Sequence, residues 1–245
     1  MTGKSARRTL ITGAARPIGV ELVRQSLMRG DKVYAAARNP ARVPILADLR
    51  AAFPGLELLA LDPADAASVA DAIPVLESLT DSLDLLIIAP AEPGPHERLA
   101  DAARDEALST LSGTGLVEHF RRHAVAPLLL VRTLLPWLTL GDNARILVVS
   151  NWRGSLAGKA EGGDYALCGS AAALHMITRA LANDLAELHI TVCVGNAGDY
   201  AMTPDGPSFQ VPIDEAALGL LSVMDGLPLS RSGRFLDWTG TERAW

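Results

Sequence analysis

The stretch RTLITGAARPIGVELVRQSLMRG (Arg8–Gly30) decides the fold. It opens with a short apolar run, which predicts a buried strand that leads into a turn at Gly13. From Val20 onward the apolar residues recur with helical spacing, and the predicted helix ends at a glycine cap, Gly30. A strand, a glycine turn and a helix in direct succession are typical of the first unit of a parallel α/β sheet.

The alternation of apolar runs with helical patterns continues along the chain. Helices are predicted at Ala64–Leu79, roughly Thr114–Leu138 and Tyr165–Leu188. Further strands are predicted at Lys32–Arg38, Leu56–Asp62, Leu83–Ala91, Ala144–Ser150, Ile190–Gly198 and Gly233–Trp238. Because nearly continuous apolar strands indicate a sheet covered on both faces, we predict an α/β fold. We expect a single doubly wound Rossmann-type domain over residues 1–245, with a parallel sheet of about seven strands and helices on both faces.

Composition excludes several classes of protein. The 245 residues are 49% apolar with a net charge of −6, which excludes disorder and argues against a general nucleic-acid binder. No apolar run approaches the roughly 20 residues of a membrane span, and no long apolar signal core is present, so we expect a cytoplasmic protein without membrane contact. Cys168 and Cys193 have no metal-ligand spacing, and no metal site is predicted. Lysine occurs only at Lys4, Lys32 and Lys159.

The segment TGAARPIG (Thr12–Gly19) joins the first strand to the first helix. It resembles the T-G-x-x-x-G-x-G turn of the short-chain dehydrogenase/reductase superfamily, in which glycines let backbone approach a pyrophosphate at a helix N-terminus. The resemblance covers nearly the whole chain and is closest to the C-factor and sniffer-like carbonyl reductase branch. It also rests on VAPLLLVRTLLPWL (Val125–Leu138), ALHMITRALANDL (Ala173–Leu185) and SGRFLDWTGTERAW (Ser232–Trp245).

The resemblance implies a site for NADP. Arg16 and Arg38 stand where NADP-preferring members carry basic residues for the 2′-phosphate, although solvated surface charge is the alternative interpretation. Asp62 ends the third predicted strand, where members bond the adenine amino group. The residues expected to contact the cofactor are Gly13, Arg16, Ile18, Gly19, Arg38, Asp62 and Ala89.

Two departures from the family pattern put NADP binding in doubt. Pro17 replaces the second glycine of the turn, and proline has no N–H to offer a phosphate. The alternative interpretation is that Pro17 begins the helix, since proline suits the first helical position. The fourth strand leads into Ile88-Ala89-Pro90-Ala91 where the family has N-N-A-G, which removes asparagine amides and a glycine beside the cofactor.

The family's chemistry implies a tyrosine, a lysine four residues later, a serine and an asparagine. In the register without gaps, Leu167 occupies the tyrosine position and Ala171 the lysine position. A competing register takes Tyr165 as the tyrosine and leaves Gly169 in the lysine position. Both registers lack the lysine. The serine position falls on Ser150 or Asn151, and the asparagine position aligns with His123.

The loss of the proton donor and its ammonium should abolish carbonyl reduction, since a positioned acid or base contributes about 10²–10⁴ in rate. The leading hypothesis is a diverged member with non-redox chemistry (dehydration, isomerisation or cyclisation) on a small organic ligand, or with ligand binding only. His123 with Asp199 or Tyr200 is the candidate proton-transfer set. The alternatives are an NADP-dependent carbonyl reductase that uses Tyr165 and Lys159, and a catalytically silent dimeric interaction or regulatory protein.

Three further expectations concern partners and the surroundings of the site. We expect a homodimer or homotetramer formed through the two long helices, with His175 near a subunit interface. Trp152 is expected to stack on a planar ligand or to cap the pocket. Residues 199–215 are interpreted as a loop that can serve as a lid over the carboxyl edge of the sheet.

Overall fold

The computed structural model describes residues 6–89, 108, 111–198, 200–203, 206–209 and 211–245, with backbone alone for 200–203 and 206–209. Its strands are β1 (Arg8–Thr12), β2 (Lys32–Ala37), β3 (Leu56–Ala60), β4 (Leu85–Ile88), β5 (Arg145–Ser150), β6 (Thr191–Asn196), β7 (Tyr200–Thr203), β8 (Gly206–Phe209) and β9 (Arg234–Asp237). Its helices are α1 (Pro17–Met28), α2 (Pro44–Ala52), α3 (Ala66–Leu79), α4, α5 (Tyr165–Asp184) and α6 (Ile213–Gly226). Helix α4 runs through Gly113–Phe120, a π turn at Arg121–Val125 and Ala126–Thr139.

Seven strands form one sheet in the order β3-β2-β1-β4-β5-β6-β9, and every neighbouring pair is parallel. This topology confirms the predicted doubly wound α/β fold. In the register of the sheet, Thr12 pairs with Ile88 and Ser150 pairs with Asn196. The carboxyl ends of the central strands therefore lie along one edge, which is where ligands bind in open α/β sheets.

The core has two layers, one on each face of the sheet. Successive strand residues point to opposite faces, so the fully buried Leu10 and Ile11 of β1 enter different layers. Leu10 packs in the layer formed with α3, α4 and α5, whereas Ile11 packs in the layer formed with α1, α2 and α6. The expectation of helices on both faces is confirmed.

The structure corrects several predicted elements. Helix α1 begins at Pro17 rather than Val20, and α2 and α6 were not predicted. Strands β7 and β8 form an antiparallel hairpin inside residues 199–215, which were interpreted as a loop. Strand β4 ends at Ile88, and residues 90 and 91, which were assigned to it, lie outside the described residues. Across the described residues, no helix is both long enough and apolar enough to span a bilayer.

Candidate active site at the carboxyl edge of the sheet

The turn after β1 passes very close to the start of α1. Gly13 has a φ of +62°, and a Cβ on Gly19 would lie 2.1 Å from the Gly13 carbonyl oxygen, so no side chain fits at position 19. Pro17 is the first residue of α1, which confirms the interpretation that it begins the helix. The N–H that proline lacks is one that a helix leaves unpaired in any case. The first-turn amides of Ile18 and Gly19 are retained.

A buried hydroxyl lies directly before this turn. Thr12 is 1% exposed, and its Oγ1 has no hydrogen-bond partner among the described residues. By strand alternation the Thr12 side chain is on the same sheet face as Leu10, the face covered by α4. Because an unpaired buried polar group costs about 1–3 kcal/mol, such a group needs an explanation, and a ligand at the turn is one.

Two half-buried arginines flank the turn. The Arg16 N–H donates to the Gly13 carbonyl at 2.9 Å, so Arg16 stands at the N-terminus of α1. Arg38 directly follows β2, and β2 is tied to the turn by a 3.1 Å hydrogen bond from the Ala14 N–H to the Ala36 carbonyl. The two guanidinium groups and the positive end of α1 make this part of the edge favourable for an anion.

The carboxylate of Asp62 at the end of β3 is engaged by the protein itself. Its Oδ1 accepts from the Ala64 N–H at 2.9 Å, and its Oδ2 lies 3.6 Å from Nη1 of Arg122. Both side chains of this ion pair are mostly buried, at 14% and 15% exposed. The next residue, Pro63, has no N–H. The Asp62 position thus differs from the free acceptor that the resemblance implies.

The π turn of α4 supplies the arginine side chains beside Asp62, at the end of the site next to β3. Glu118 accepts 2.7 Å hydrogen bonds from Nε of Arg121 and from Nε of Arg122, and these partners lower the pKa of Glu118 to about 2. The Arg121 guanidinium also donates to the Ala64 carbonyl. Helix α4 is therefore anchored to the segment after β3. A π turn is a rare helical distortion that is frequent at functional sites.

His123 lies inside the same π turn. Its ring stacks on that of His119 with centroids 4.1 Å apart, and His119 Nδ1 lies 2.9 Å from the Ser170 hydroxyl. Burial, together with the charges of His119, Arg122 and Arg16, lowers the pKa of His123 to about 3. The imidazole is consequently neutral near pH 7. The charge of Arg16, in the turn after β1, contributes to this lowering of the pKa, and the assignment of His123 to the pocket stays a prediction.

At the end of β5, Ser150 is bonded to a buried histidine. His175 Nε2 lies 2.9 Å from the Ser150 hydroxyl, and His175 is 2% exposed. Its ring packs 4.5 Å from that of Phe235, and burial lowers the pKa of His175 to about 4. The fold of this chain encloses His175, and its expected position near a subunit interface stays a prediction. Asn151 Oδ1 accepts from the Arg153 N–H at 2.9 Å.

The faces of α5 separate the two possible registers. A Cβ on Gly154, in the turn after β5, would lie 2.9 Å from the Ala171 Cβ. A Cβ on Gly169 would instead lie 3.0 Å from Phe120 of α4. Position 171 therefore faces the turn that follows Ser150, whereas position 169 faces the neighbouring helix. This geometry favours the register without gaps, in which Leu167 and Ala171 replace the tyrosine and the lysine.

Tyr165 is the first residue of α5 and is 42% exposed. Asp164 precedes it in the left-handed conformation, with a φ of +51°, and pairs with Arg153 at 2.7 Å. Lys159 is exposed and donates to the Gly163 carbonyl at 3.1 Å. Asp199 lies outside the described residues, so its assignment stays a prediction.

Residues 7–205 match the family model described as short chain dehydrogenase. The chain belongs to the short-chain dehydrogenase family. Over 139 residues it is 34% identical to the C-signal of Myxococcus xanthus, which covers 57% of this chain and 84% of that protein. Over 256 residues it is 29% identical to the short chain dehydrogenase gsfK of Penicillium aethiopicum, at 96% and 98% coverage.

Solved structures agree with this membership. The NADPH-bound carbonyl reductase from chicken fatty liver superposes with a TM-score of 0.83 at 27% identity, covering 98% of this chain and 99% of that chain. The carbonyl reductase Sniffer of D. melanogaster gives a TM-score of 0.86 at 22% identity, covering 98% and 100%, which shows the shared fold. The predicted resemblance to the sniffer-like carbonyl reductase branch of the short-chain dehydrogenases is confirmed.

The residues at this edge fit only the central diphosphate of NADP, a cofactor that many short-chain dehydrogenases bind. A phosphate would suit the close approach of Gly19 to Gly13, here called the Gly13–Gly19 crossing, together with the Ile18 and Gly19 amides and the Thr12 hydroxyl. Asp62 is engaged by Ala64 and Arg122 at the end where an adenine would be read. At the other end, in the register without gaps, Ala171 stands where the resemblance implies a lysine. Ala89 is buried at 4% exposure after β4.

Sequence reasoning missed the residues that close the site. Neither the Arg122–Asp62 pair nor the His175–Ser150 bond was predicted, and Asn196, whose buried Oδ1 has no partner among the described residues, was also overlooked. Two signals were available. The basic run Arg121-Arg122-His123 stands beside Glu118 in an otherwise apolar helix, and Asn196 is a polar residue that ends an apolar strand.

Proposed function

We propose that this short-chain dehydrogenase has lost hydride transfer and binds a small organic ligand at the carboxyl edge, on which it carries out non-redox chemistry such as dehydration, isomerisation or cyclisation. The face of α5 carries the proposal. Positions 167 and 171 lie one turn apart on the face toward the turn after β5, and they present leucine and alanine. An apolar wall there has no group that could deliver a proton to a carbonyl oxygen.

The remaining polar groups define what the site does to its ligand. Neutral His123 can donate from one ring nitrogen and accept at the other, but a pKa of about 3 makes it a weak base at neutral pH. We therefore assign His123 the role of a hydrogen-bond donor that polarises a ligand oxygen. The Asn151 amide N–H₂ is a second donor, since its oxygen is engaged by Arg153. Asp199 and Tyr200 remain the candidate bases.

The experiment has two arms. NADPH oxidation is followed by absorbance with a panel of aldehydes and ketones, and enone formation is followed in the ultraviolet with β-hydroxy ketones. We expect no carbonyl-dependent NADPH oxidation, together with enone formation that His123→Ala lowers at least about tenfold. Met176→Ala, on the exposed outer face of α5, is the matched control. Carbonyl-dependent NADPH oxidation by the wild-type protein would overturn the proposal.

The second candidate function is an NADP-dependent carbonyl reductase with a rearranged site. The NADPH-bound carbonyl reductase neighbour and the retention of Arg16 and Arg38 favour it. In this alternative, Tyr165 and Lys159 supply the proton and the ammonium, so Tyr165→Phe and Lys159→Met would each abolish NADPH oxidation. The same absorbance assay therefore decides between the two candidates.

We also propose that the chain forms a homodimer or a homotetramer through α4 and α5. Exposed apolar side chains on these helices support the proposal: Val125 and Leu129 of α4 are 43% and 41% exposed, and Met176 of α5 is 66% exposed. A silent interaction or regulatory role would use the same surface. Light scattering on the eluted protein tests it, and Leu129→Glu is expected to yield monomers. A monomeric wild-type protein would contradict it.

A further inference from the structure

The end of the cleft at β3 is poorly matched to an adenine ring. Adenine presents a donor, the amino group, beside an acceptor nitrogen, so a protein edge that reads it needs an acceptor next to a donor. Here the Asp62 carboxylate, the candidate acceptor, is held by the Ala64 N–H at 2.9 Å and faces Arg122 at 3.6 Å. Pro63, the following residue, offers no N–H as the donor. The donor half of the recognition edge is missing, and the acceptor half already has Ala64 and Arg122 as partners.

The Arg122 side chain is firmly held in this position. Its Nε donates to Glu118 at 2.7 Å, and Arg121 pairs with the same carboxylate at 2.7 Å while it also bonds the Ala64 carbonyl. The Arg122 side chain is 14% exposed. Because several contacts hold the helix segment to the segment after β3, displacing Arg122 from Asp62 has a cost that an incoming base must overcome.

The middle of the cleft keeps every feature that an anion needs. The Gly13–Gly19 crossing, the first-turn amides and Arg16 are in place. The Thr12 hydroxyl is an independent indication of a ligand. It is 1% exposed, it precedes the turn by one residue, and it has no partner among the described residues. A phosphate oxygen is an acceptor of the kind this donor lacks.

We infer that the cleft binds a small phosphate or diphosphate ester that has no adenine ring, with its phosphate on the Ile18 and Gly19 amides, Thr12 and Arg16. The inference rests on the proposed function, because it names the class of the small ligand. The organic part of the ester extends toward the apolar wall at Leu167 and Ala171. Such a ligand uses the part of the site that is intact and avoids both ends that are altered.

Calorimetry with inorganic pyrophosphate, ADP and NADP⁺ tests the inference on the full chain. We expect pyrophosphate to bind, and ADP and NADP⁺ to bind no more than about threefold more tightly, since their bases gain no hydrogen bonds. Arg16→Gln should weaken pyrophosphate binding at least about tenfold. Arg132→Gln, an exposed arginine of α4, is the charge-matched control. An ADP or NADP⁺ affinity more than about threefold above that of pyrophosphate, or no pyrophosphate binding, overturns the inference.

A gain-of-function variant sharpens the test. Arg122→Ala combined with Pro63→Val frees the Asp62 carboxylate and restores an N–H beside it. We expect this variant to bind ADP at least about tenfold more tightly than pyrophosphate. Arg121→Ala is the matched control, because it removes a neighbouring arginine of the same cluster and leaves the Arg122–Asp62 pair in place. Circular dichroism verifies that each variant is folded, and an unchanged ADP preference in a folded double variant overturns the role of Arg122.

The two proposals fail in different ways. Carbonyl-dependent NADPH oxidation overturns the proposed function. Tight binding of ADP or NADP⁺ without turnover overturns only the inference about the ligand.

Discussion

Buried polar groups differ between the two edges of the sheet at several positions, although Ser150 at the carboxyl edge is bonded to His175, and Ser26 Oγ of α1, toward the amino edge, has no partner among the described residues. At the amino edge, the Thr9 hydroxyl donates to Asp31 at 2.9 Å. There too, the Asp84 carboxylate accepts 2.7 Å hydrogen bonds from the Arg8 and Asp142 N–H groups. At the carboxyl edge, Thr12 Oγ1 and Asn196 Oδ1 are buried with no partner among the described residues.

This difference separates stability from function within single strands. Thr9 and Thr12 belong to the same strand, β1, and are 0% and 1% exposed, yet only the first has a hydrogen bond. A buried donor without a partner destabilises the fold, so a sequence that tolerates it has a reason to keep it there. At Thr9 and Asp84 the amino edge has hydrogen bonds that hold the fold together, whereas the unpaired Thr12 and Asn196 support the ligand site proposed at the carboxyl edge.

The largest expected effect comes from breaking the amino edge at Asp84. Asp84→Ala leaves the Arg8 guanidinium and two backbone N–H groups without their acceptor, and we expect a loss of about 3 kcal/mol in the free energy of unfolding. Urea denaturation measures it. Asp81→Ala is the control, because Asp81 is 92% exposed and pairs with Arg8 at 3.5 Å, and it should cost under about 0.5 kcal/mol. Equal losses for the two variants would show that Asp84 contributes no more to stability than an exposed carboxylate does.

As the pH falls, the free energy of unfolding should decrease first through the histidines and only at lower pH through Asp84 at the amino edge. The folded pKa values of His123 and His175 are about 3 and about 4, below the usual 6.5, so folding keeps both rings neutral. Their contribution to stability is complete above pH 6.5 and is lost as the pH falls toward the folded values. Each ring adds a slope of up to about 1.4 kcal/mol per pH unit.

At the amino edge, hydrogen bonds from Arg8 hold the pKa of Asp84 below its usual 3.8, although burial opposes them. Its contribution is present above that value and is lost only at lower pH. Urea denaturation between pH 7 and pH 4 should therefore show a falling stability that His175→Asn flattens. A wild-type stability that is constant over this range would contradict the assignment.

A matched pair of substitutions on β1 sharpens the comparison directly. Thr9→Val removes one of the three hydrogen bonds that Asp31 Oδ2 accepts, while those from Arg7 Nε and Nη2 remain, and it should cost about 1 kcal/mol. Thr12→Val removes an unpaired hydroxyl and keeps the side-chain shape, so stability should stay the same or rise by up to about 1 kcal/mol. Thermal unfolding compares the two variants, and a loss for Thr12→Val as large as that for Thr9→Val would erase the distinction.

The smallest effect is expected at Pro17. Pro17→Gly restores the glycine of the family turn but gives up the fixed φ that suits the first helical position. We expect a loss of about 0.5–1 kcal/mol through the added freedom of the unfolded chain. Thermal unfolding measures the loss, and a stabilised variant would show that Pro17 strains the turn.

The sheet was predictable because its strands are largely apolar on both faces and are separated from the helical patterns by turns, as Arg8–Thr12 is separated from α1 by the turn at Gly13. Helix α2 was missed because it spans only Pro44–Ala52, too short for a clear helical period, and α6 because its start adjoins a stretch rich in proline and glycine. A proline at the first position of α2 and acidic residues Asp214 and Glu215 in the first turn of α6 are the signals that could have found them.

The candidate site was predictable where it depends on local sequence. The turn at Gly13 and the start of α1 at Pro17 follow from neighbouring residues, as does the proposed replacement of the tyrosine–lysine pair. The Arg122–Asp62 and His175–Ser150 contacts join distant parts of the chain, 60 and 25 residues apart. No local periodicity encodes such pairs, because they depend on how α4 and α5 cross the sheet.

The π turn in α4 has an evolutionary consequence. A π turn holds one residue more than a regular helical turn, so a single-residue deletion within Arg121–Val125 would restore an ordinary helix. The part after it is anchored in the core by Leu130 and Leu134, so the part before it would rotate by about 100°. One codon lost or gained would thus re-aim the basic residues over the cleft in a single step. The core would stay as it is.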